Sequence, residues 1–151
     1  MSTLTIFRGL PGSGKTTRAN ELGTIVLSPA DMYSTRDGKY CWTPEMSEKG
    51  RKWAMEILEF SLLHEIDITV AEVLPKIASV MRYVIPAIKK GYKIKVIDCE
   101  STIDKSFCRN VYGVPIEAIK IMDDAFEPWN DKFLKEVKEF DEAIKTGYLD
   151  E

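Results

Sequence analysis

The stretch Gly9-Leu10-Pro11-Gly12-Ser13-Gly14-Lys15-Thr16 fits the pattern GxxxxGK[ST] without adjustment. These residue types at this spacing do phosphate chemistry. Gly9, Gly12 and Gly14 let the backbone turn tightly and approach phosphate oxygens, and Pro11, Ser13 and Thr17 complete the loop. The loop amides and the start of the following helix supply partial positive charge. Lys15 is expected to reach the β- and γ-phosphates, and the Thr16 hydroxyl to hold Mg²⁺. A phosphoryl transfer also needs a group to orient the acceptor hydroxyl and a cation to offset developing charge. Asp31, in SPADMY just past a second strand, is the acidic candidate, as general base or Mg²⁺-shell ligand, with a turn-capping aspartate as the bland alternative. Lys105 and Arg109, in DKSFCRNVYGVP, are the cationic candidates for a lid, and Arg109 is preferred. Arg36 and Lys39 stand where they could meet an anionic acceptor. Asp98, in VIDCE, imitates a Walker B aspartate weakly, since many parallel strands end in Asp. His64 is expected to be half-exposed and without a catalytic role.

The elements that must position these residues alternate. Apolar or β-branched runs at Leu4–Phe7, Thr24–Leu27, Ile66–Val70 and Lys93–Ile97 predict strands. Helices are predicted over Thr16–Leu22, closed by Gly23, then Pro44–Leu63, Pro75–Lys90, Asp104–Asn110, Pro115–Phe126 and Asp131–Lys145. In the second of these Met46, Trp53, Ile57 and Phe60 lie roughly on one face, and Gly50 is its weak point. Met32–Thr43, polar and glycine-bearing, is predicted to be a loop. Strands alternating with helices imply an α/β architecture, a three-layer P-loop NTPase fold whose short, mostly parallel sheet is flanked by helices. Residues 1–129 form the expected P-loop domain. Residues 130–151 form a C-terminal helix striped by Phe133, Val137, Phe140 and Ile144, packed on the domain or on a partner or second copy.

Size and composition exclude other classes. At 151 residues and 44% hydrophobic content the chain has one domain's worth of core. Its net charge of -3 gives no global pull on nucleic acid, although a local basic groove stays open. No apolar run approaches the roughly 20 residues that span a bilayer. The opening MSTLTIF has neither the basic nor the long apolar region of a secretory signal, so a cytoplasmic protein without a membrane partner is expected. Cys41, Cys99 and Cys108 form no CxxC pair, which argues against zinc and disulfides and for three buried or half-buried thiols. A guanine-reading NKxD is absent, and the chain is too short for a motor.

GLPGSGKTT, SPADMY, DGKYCWTPEM followed by a tryptophan, and RNVYGVPIEAIKIM occur in an order that resembles the polynucleotide-kinase-like, AAA-type ATP-binding family. The resemblance covers roughly residues 3–129. It implies an ATP- and Mg²⁺-dependent kinase acting on hydroxyls, often of nucleotides or nucleic-acid ends. It implies that Lys15 and Thr16 serve phosphate and Mg²⁺, that Asp31 activates the acceptor hydroxyl, and that Arg109 belongs to the arginine-asparagine pair at which the lid segment begins. The departures concern the acceptor. Asp31-Met32 replaces a pair of aspartates, and Ser34 replaces an arginine. Ala71-Glu72-Val73-Leu74 replaces an Asp-Asn-Thr-Asn-like motif, while Arg51 and Tyr112 stand where histidines are common. Two functions follow as expectations. One is a kinase phosphorylating a hydroxyl of a nucleotide, nucleic-acid end or modified base. The other is a nucleotide-binding regulatory or interaction protein with slow or absent turnover.

Overall fold

Alternation along β1 (Thr3–Arg8) sets the layers. Leu4 and Ile6 point into one core and Phe7 into another, as the two-residue repeat of a strand requires. The computed structural model describes residues 1–33 and 35–147, without the side chains of Asp31 and Thr35. Ser34 and residues 148–151 of the C-terminal segment lie outside the described residues. Four parallel strands run in the order β2 (Ile25–Leu27), β5 (Ile68–Glu72), β1, β6 (Lys93–Asp98). The fold is a three-layer α/β P-loop fold, as expected. On the Phe7 face Ala19 of α1 (Lys15–Asn20) packs with Ala71 and Cys99. The opposite, larger core takes Ala54, Leu58 and Leu62 from α3 (Pro44–Leu63) and Val80, Val84 and Ile88 from α4 (Ile77–Lys89).

Register fixes where the strands end. Phe7 pairs with Ala71 and Arg8 with Glu72, while Arg8 also pairs with Asp98 on the other side. β5 therefore runs two residues beyond the Val70 end expected from its apolar run. The ladder with β1 carries it on, so Ala71 and Glu72 are strand residues, and Glu72 lies at the same carboxyl edge as the phosphate loop.

The segment Met32–Thr43, expected to be a loop, instead carries regular elements among its described residues. A short helix α2 (Pro29–Tyr33) precedes an antiparallel hairpin of β3 (Thr35–Arg36) and β4 (Lys39–Tyr40). Asp37 and Gly38 turn the hairpin with φ of 52° and 75°, the two positive values that an Asp-Gly turn supplies. The Tyr40 amide donates to the Tyr112 carbonyl at 2.7 Å, tying the hairpin to the segment after α5 (Ile103–Arg109).

α3 begins and ends where the sequence predicts, with the Thr43 hydroxyl capping it by accepting from the Met46 amide at 3.1 Å. Its buried face matches the predicted stripe in part, with Trp53 and Ile57 packed partly buried against the core. Gly50, Ala54, Leu58, Ser61 and Leu62 are buried, whereas Phe60 is exposed. Small residues let neighbours come close: a Cβ at Gly50 would sit 3.3 Å from Pro29 and 3.4 Å from Tyr33 Cβ. Gly50 is the seat of α2 and so sets the position of the helix that carries Asp31. α7 (Lys132–Lys145) follows α6 (Ile116–Ala125) and lays Leu134 and Val137 against the main core, leaving Phe140 exposed. No helix among the described residues is long and apolar enough to cross a membrane.

Candidate active site

The phosphate loop follows directly from β1. Gly12 and Gly14 adopt φ of 75° and 87°, a region that only glycine enters freely. A turn closes between them as the Ser13 amide donates to the Leu10 carbonyl at 3.1 Å. Gly9 is packed so closely that a Cβ would lie 2.6 Å from the Cys99 carbonyl oxygen. Lys15 Nζ donates to the Leu10 carbonyl at 3.3 Å, which folds the side chain back over the loop. Two observations test whether the loop suits a phosphate. The Ser13 Oγ is buried with no hydrogen-bond partner among the described residues. The space beside Gly14, where a Cβ would stand, is open. A concave loop with an unsatisfied hydroxyl, a backbone free of side chains and a lysine across it fits an anionic phosphate chain.

That loop opens into a cavity of about 660 Å³. Pro11, Gly12, Gly14, Lys15, Thr16 and Thr17 line it, while Gly9 and Ser13 are not among its lining residues. Arg109, at the last turn of α5, lines it together with Asn110 and Tyr112. Asn110 holds this segment in shape: its Oδ1 accepts from the Val114 amide at 2.7 Å, and its Nδ2 donates to the Phe107 carbonyl at 3.0 Å. Asp31 follows the lining residues Pro29 and Ala30 on α2, and its side chain lies outside the described residues. Arg36, Lys39 and Lys105 are exposed and do not line the cavity. His64 is exposed as well, with its ring 4.5 Å from that of Phe60.

The sequence reading missed Glu72. It stands at the end of β5 within the cavity wall, and its Oε2 accepts a hydrogen bond from the Tyr83 hydroxyl at 2.9 Å. Burial pushes the Glu72 carboxyl above its ordinary range, while Tyr83, Arg51, Lys15 and Arg82 pull the other way. The Tyr83 hydroxyl is raised too, first by burial and then by the carboxylate beside it. Glu72 thus lies within electrostatic reach of Lys15, Arg51 and Arg82. Both arginines line the cavity, one from α3 and one from α4. The signal available was the position itself: an acidic residue ending a strand beside the phosphate-loop strand.

Asp98, expected as a weak Walker B imitation, is occupied otherwise. It pairs with Arg8, a fully buried guanidinium, at 3.2 Å through Oδ1, and its Oδ2 accepts from the Trp129 amide at 3.0 Å. It is not among the cavity's lining residues. Burial lowers the Arg8 pKa, and Asp98 opposes that. The thiols also divide differently from expectation. Cys99 is buried, but Cys41 and Cys108 are exposed, because one follows the hairpin and the other sits on the outer side of a short surface helix. A second cavity of about 640 Å³, between β6 and α7, shares no residue with the site.

No known family profile matches the chain. Solved structures with the same fold do. A structure of the Pnkp1/Rnl/Hen1 RNA repair complex matches with a TM-score of 0.67 at 18% identity, over 89% of this chain and 45% of that one. A gluconokinase from Sinorhizobium meliloti 1021 matches with a TM-score of 0.54 at 12% identity, over 97% of this chain and 95% of that one. AvrRxo1-ORF1:-ORF2 with ATP matches with a TM-score of 0.50 at 18% identity, over 71% and 39%. The fold is kinase-like, and at these identities the likeness extends to the fold alone.

Proposed function

We propose that the chain is an ATP-dependent phosphotransferase acting on a hydroxyl acceptor. The observation that carries this reading is that one cavity is lined both by the phosphate loop and by a separate set of polar side chains, Glu72, Tyr83, Arg51 and Arg82. An inert nucleotide holder has no use for that second set. The loop amides and Lys15 hold the donor's phosphates, and Arg109 brings positive charge from the lid side. Mg²⁺, held by Thr16, would offset phosphate charge when bound. Asp31, carried by α2 on its Gly50 seat, orients the acceptor hydroxyl and takes its proton. Nucleotides and nucleic-acid ends belong to the acceptor range that the sequence resemblance suggests.

A second reading, a nucleotide-binding regulatory protein with little turnover, draws on the altered residues Ala71–Leu74 in the cavity wall. One experiment separates the two. The protein is incubated with labelled ATP, Mg²⁺ and a panel of hydroxyl acceptors, beside Lys15→Ala and Asp31→Ala. Loss of nucleotide binding in Lys15→Ala is expected. So is a fall in transfer of about 10²–10⁴-fold in Asp31→Ala with nucleotide still bound, the usual contribution of a positioned base. Transfer indifferent to Asp31→Ala would remove that residue from the mechanism. Tight nucleotide binding with no transfer to any acceptor would favour the regulatory reading.

A further inference from the structure

The acceptor end of the cavity has a charge pattern of its own. Lys15, Arg51, Arg82 and Arg109 line the cavity, with Glu72 as the acidic residue among the lining side chains. Lys15 and Arg109 belong to the donor half. Arg51 and Arg82 come instead from α3 and α4, and neither makes an ion pair within 4.0 Å among the described residues. Glu72 is within electrostatic reach of both, so among the described side chains one carboxylate faces two guanidiniums. Ser47 and Ser79 add hydroxyls to the same wall, and Trp42, about half exposed, stands at the rim.

We propose that Arg51 and Arg82 form an anion-reading subsite, so that the acceptor is a small hydroxyl compound carrying a phosphate or carboxylate group. This rests on the phosphotransferase reading above and narrows its acceptor. The guanidiniums hold the anionic group through charge-assisted hydrogen bonds, as planar forks do. Glu72, one oxygen fixed by Tyr83, accepts from a hydroxyl of the same molecule, which sets the reacting end toward Lys15. In the transfer step the acceptor oxygen bonds to the γ-phosphorus, the bond from that phosphorus to the β-bridging oxygen breaks, and ADP leaves with the electron pair. The hydroxyl proton goes to the base. A small acceptor suits the space, because about 660 Å³ must hold the donor's phosphate end as well. The net charge of -3 supplies no chain-wide pull on a long polyanion.

The test is a binding measurement that needs no turnover. The phosphate loop is first saturated with a non-hydrolysable ATP analogue and Mg²⁺. Ribose phosphate, adenosine monophosphate and glucuronate are then titrated calorimetrically, each beside its neutral counterpart: ribose, adenosine and glucose. The expected result is that at least one anionic member binds about tenfold or more tightly than its neutral partner, the worth of one charge-assisted contact. Which one does so separates a phosphate ester from a sugar acid. Arg51→Ala with Arg82→Ala should abolish that preference, while the ATP analogue binds as before and Lys52→Ala, on an exposed turn of α3, changes nothing. Equal binding of anionic and neutral members by the wild type overturns the subsite, as does a preference that survives loss of both arginines, or loss of the analogue with them. A preserved anion preference with no phosphoryl transfer to any acceptor supports the subsite and sinks the phosphotransferase reading instead.

Discussion

Arg8 offers the sharpest test of how this fold holds its site. Its side chain is fully buried at the end of β1, one residue before the phosphate loop. Nε and Nη2 donate to the Leu74 carbonyl at 3.1 and 2.8 Å. Nη2 also reaches the Pro75 and Glu127 carbonyls at 3.2 and 2.7 Å, and Nη1 pairs with Asp98 at 3.2 Å. The guanidinium lies 4.3 Å from the Phe126 ring centre. One side chain therefore ties together β1, the turn after β5, the end of β6 and the link from α6 to α7. Arg8→Ala takes its donors from the Leu74 and Glu127 carbonyls, from Asp98, and from the Pro75 carbonyl, which keeps the Glu127 amide at 2.7 Å. Each buried unsatisfied group costs about 1–3 kcal/mol. The sum overshoots, because water enters the hole and Asp98, its side chain 27% exposed, keeps solvent and the Trp129 amide. The net should fall at about 3–5 kcal/mol, the usual loss when a buried pair loses one partner. Asp98→Asn keeps every Arg8–carbonyl bond and should cost less, about 1.5–3 kcal/mol, the worth of a charged hydrogen bond. Urea unfolding followed by tryptophan fluorescence measures both. An Arg8→Ala cost below about 1 kcal/mol, far under the buried-pair range, refutes the reasoning, and so does an Asp98→Asn cost larger than that of Arg8→Ala. Should Arg8→Ala fail to fold, the Asp98→Asn arm still reads the pair.

Two further outcomes follow from the site. Burial holds the Glu72 carboxyl above its ordinary value, so its contribution to stability is full below the unfolded-state pKa and lost as pH rises through the folded-state one. Glu72→Gln, neutral throughout, should therefore gain melting temperature over the wild type as pH goes from acid to neutral; a difference that stays flat with pH contradicts burial as the cause. Gly12→Ala would put a Cβ 2.8 Å from the Asn110 amide nitrogen and 2.9 Å from the Ser106 carbonyl oxygen at a φ of +75°. It should cost about 1–3 kcal/mol by overpacking and weaken nucleotide binding, since lid and loop must part; unchanged urea midpoint and nucleotide affinity would show that the two segments yield freely.

Most elements were legible because their signals are local. The apolar runs of β1, β2 and β6, and α3 with its Thr43 cap and Pro44, need no distant partner to be recognised. What was not legible depends on contacts far along the chain. α2 is too short to hold itself and forms against Gly50 of α3, the residue that in isolation reads as a weak point. The β3–β4 hairpin announces itself only through Asp37-Gly38 and is secured by Tyr112, more than seventy positions on. Arg8 and Asp98 look like ordinary strand-end charges, and nothing local says that the arginine is buried. The phosphate-loop part of the cavity was readable since one contiguous motif builds it. Glu72, Tyr83, Arg51 and Arg82 come from three separate elements, so no single stretch displays them.

Three of the places where the sequence departs from the family it resembles meet in space. Arg51, the stretch Ala71–Leu74 and Tyr112 all line the one cavity. Random loss at an abandoned site would be expected to relax its wall toward low-cost packing. The wall here stays costly. Glu72 is a carboxylate in a setting that disfavours its charge, kept by Tyr83 and two arginines. Leu74 is buried with φ of 44°, a left-handed conformation worth about 1–3 kcal/mol of strain in a non-glycine residue. Its carbonyl is clamped by two donors of Arg8, which over-determines that conformation. Strain held in place by a buried guanidinium, beside a buried carboxylate held in place by a tyrosine, describes a wall that is specified rather than eroded. On the proposed phosphotransferase reading, these residues mark a different acceptor rather than a lost one.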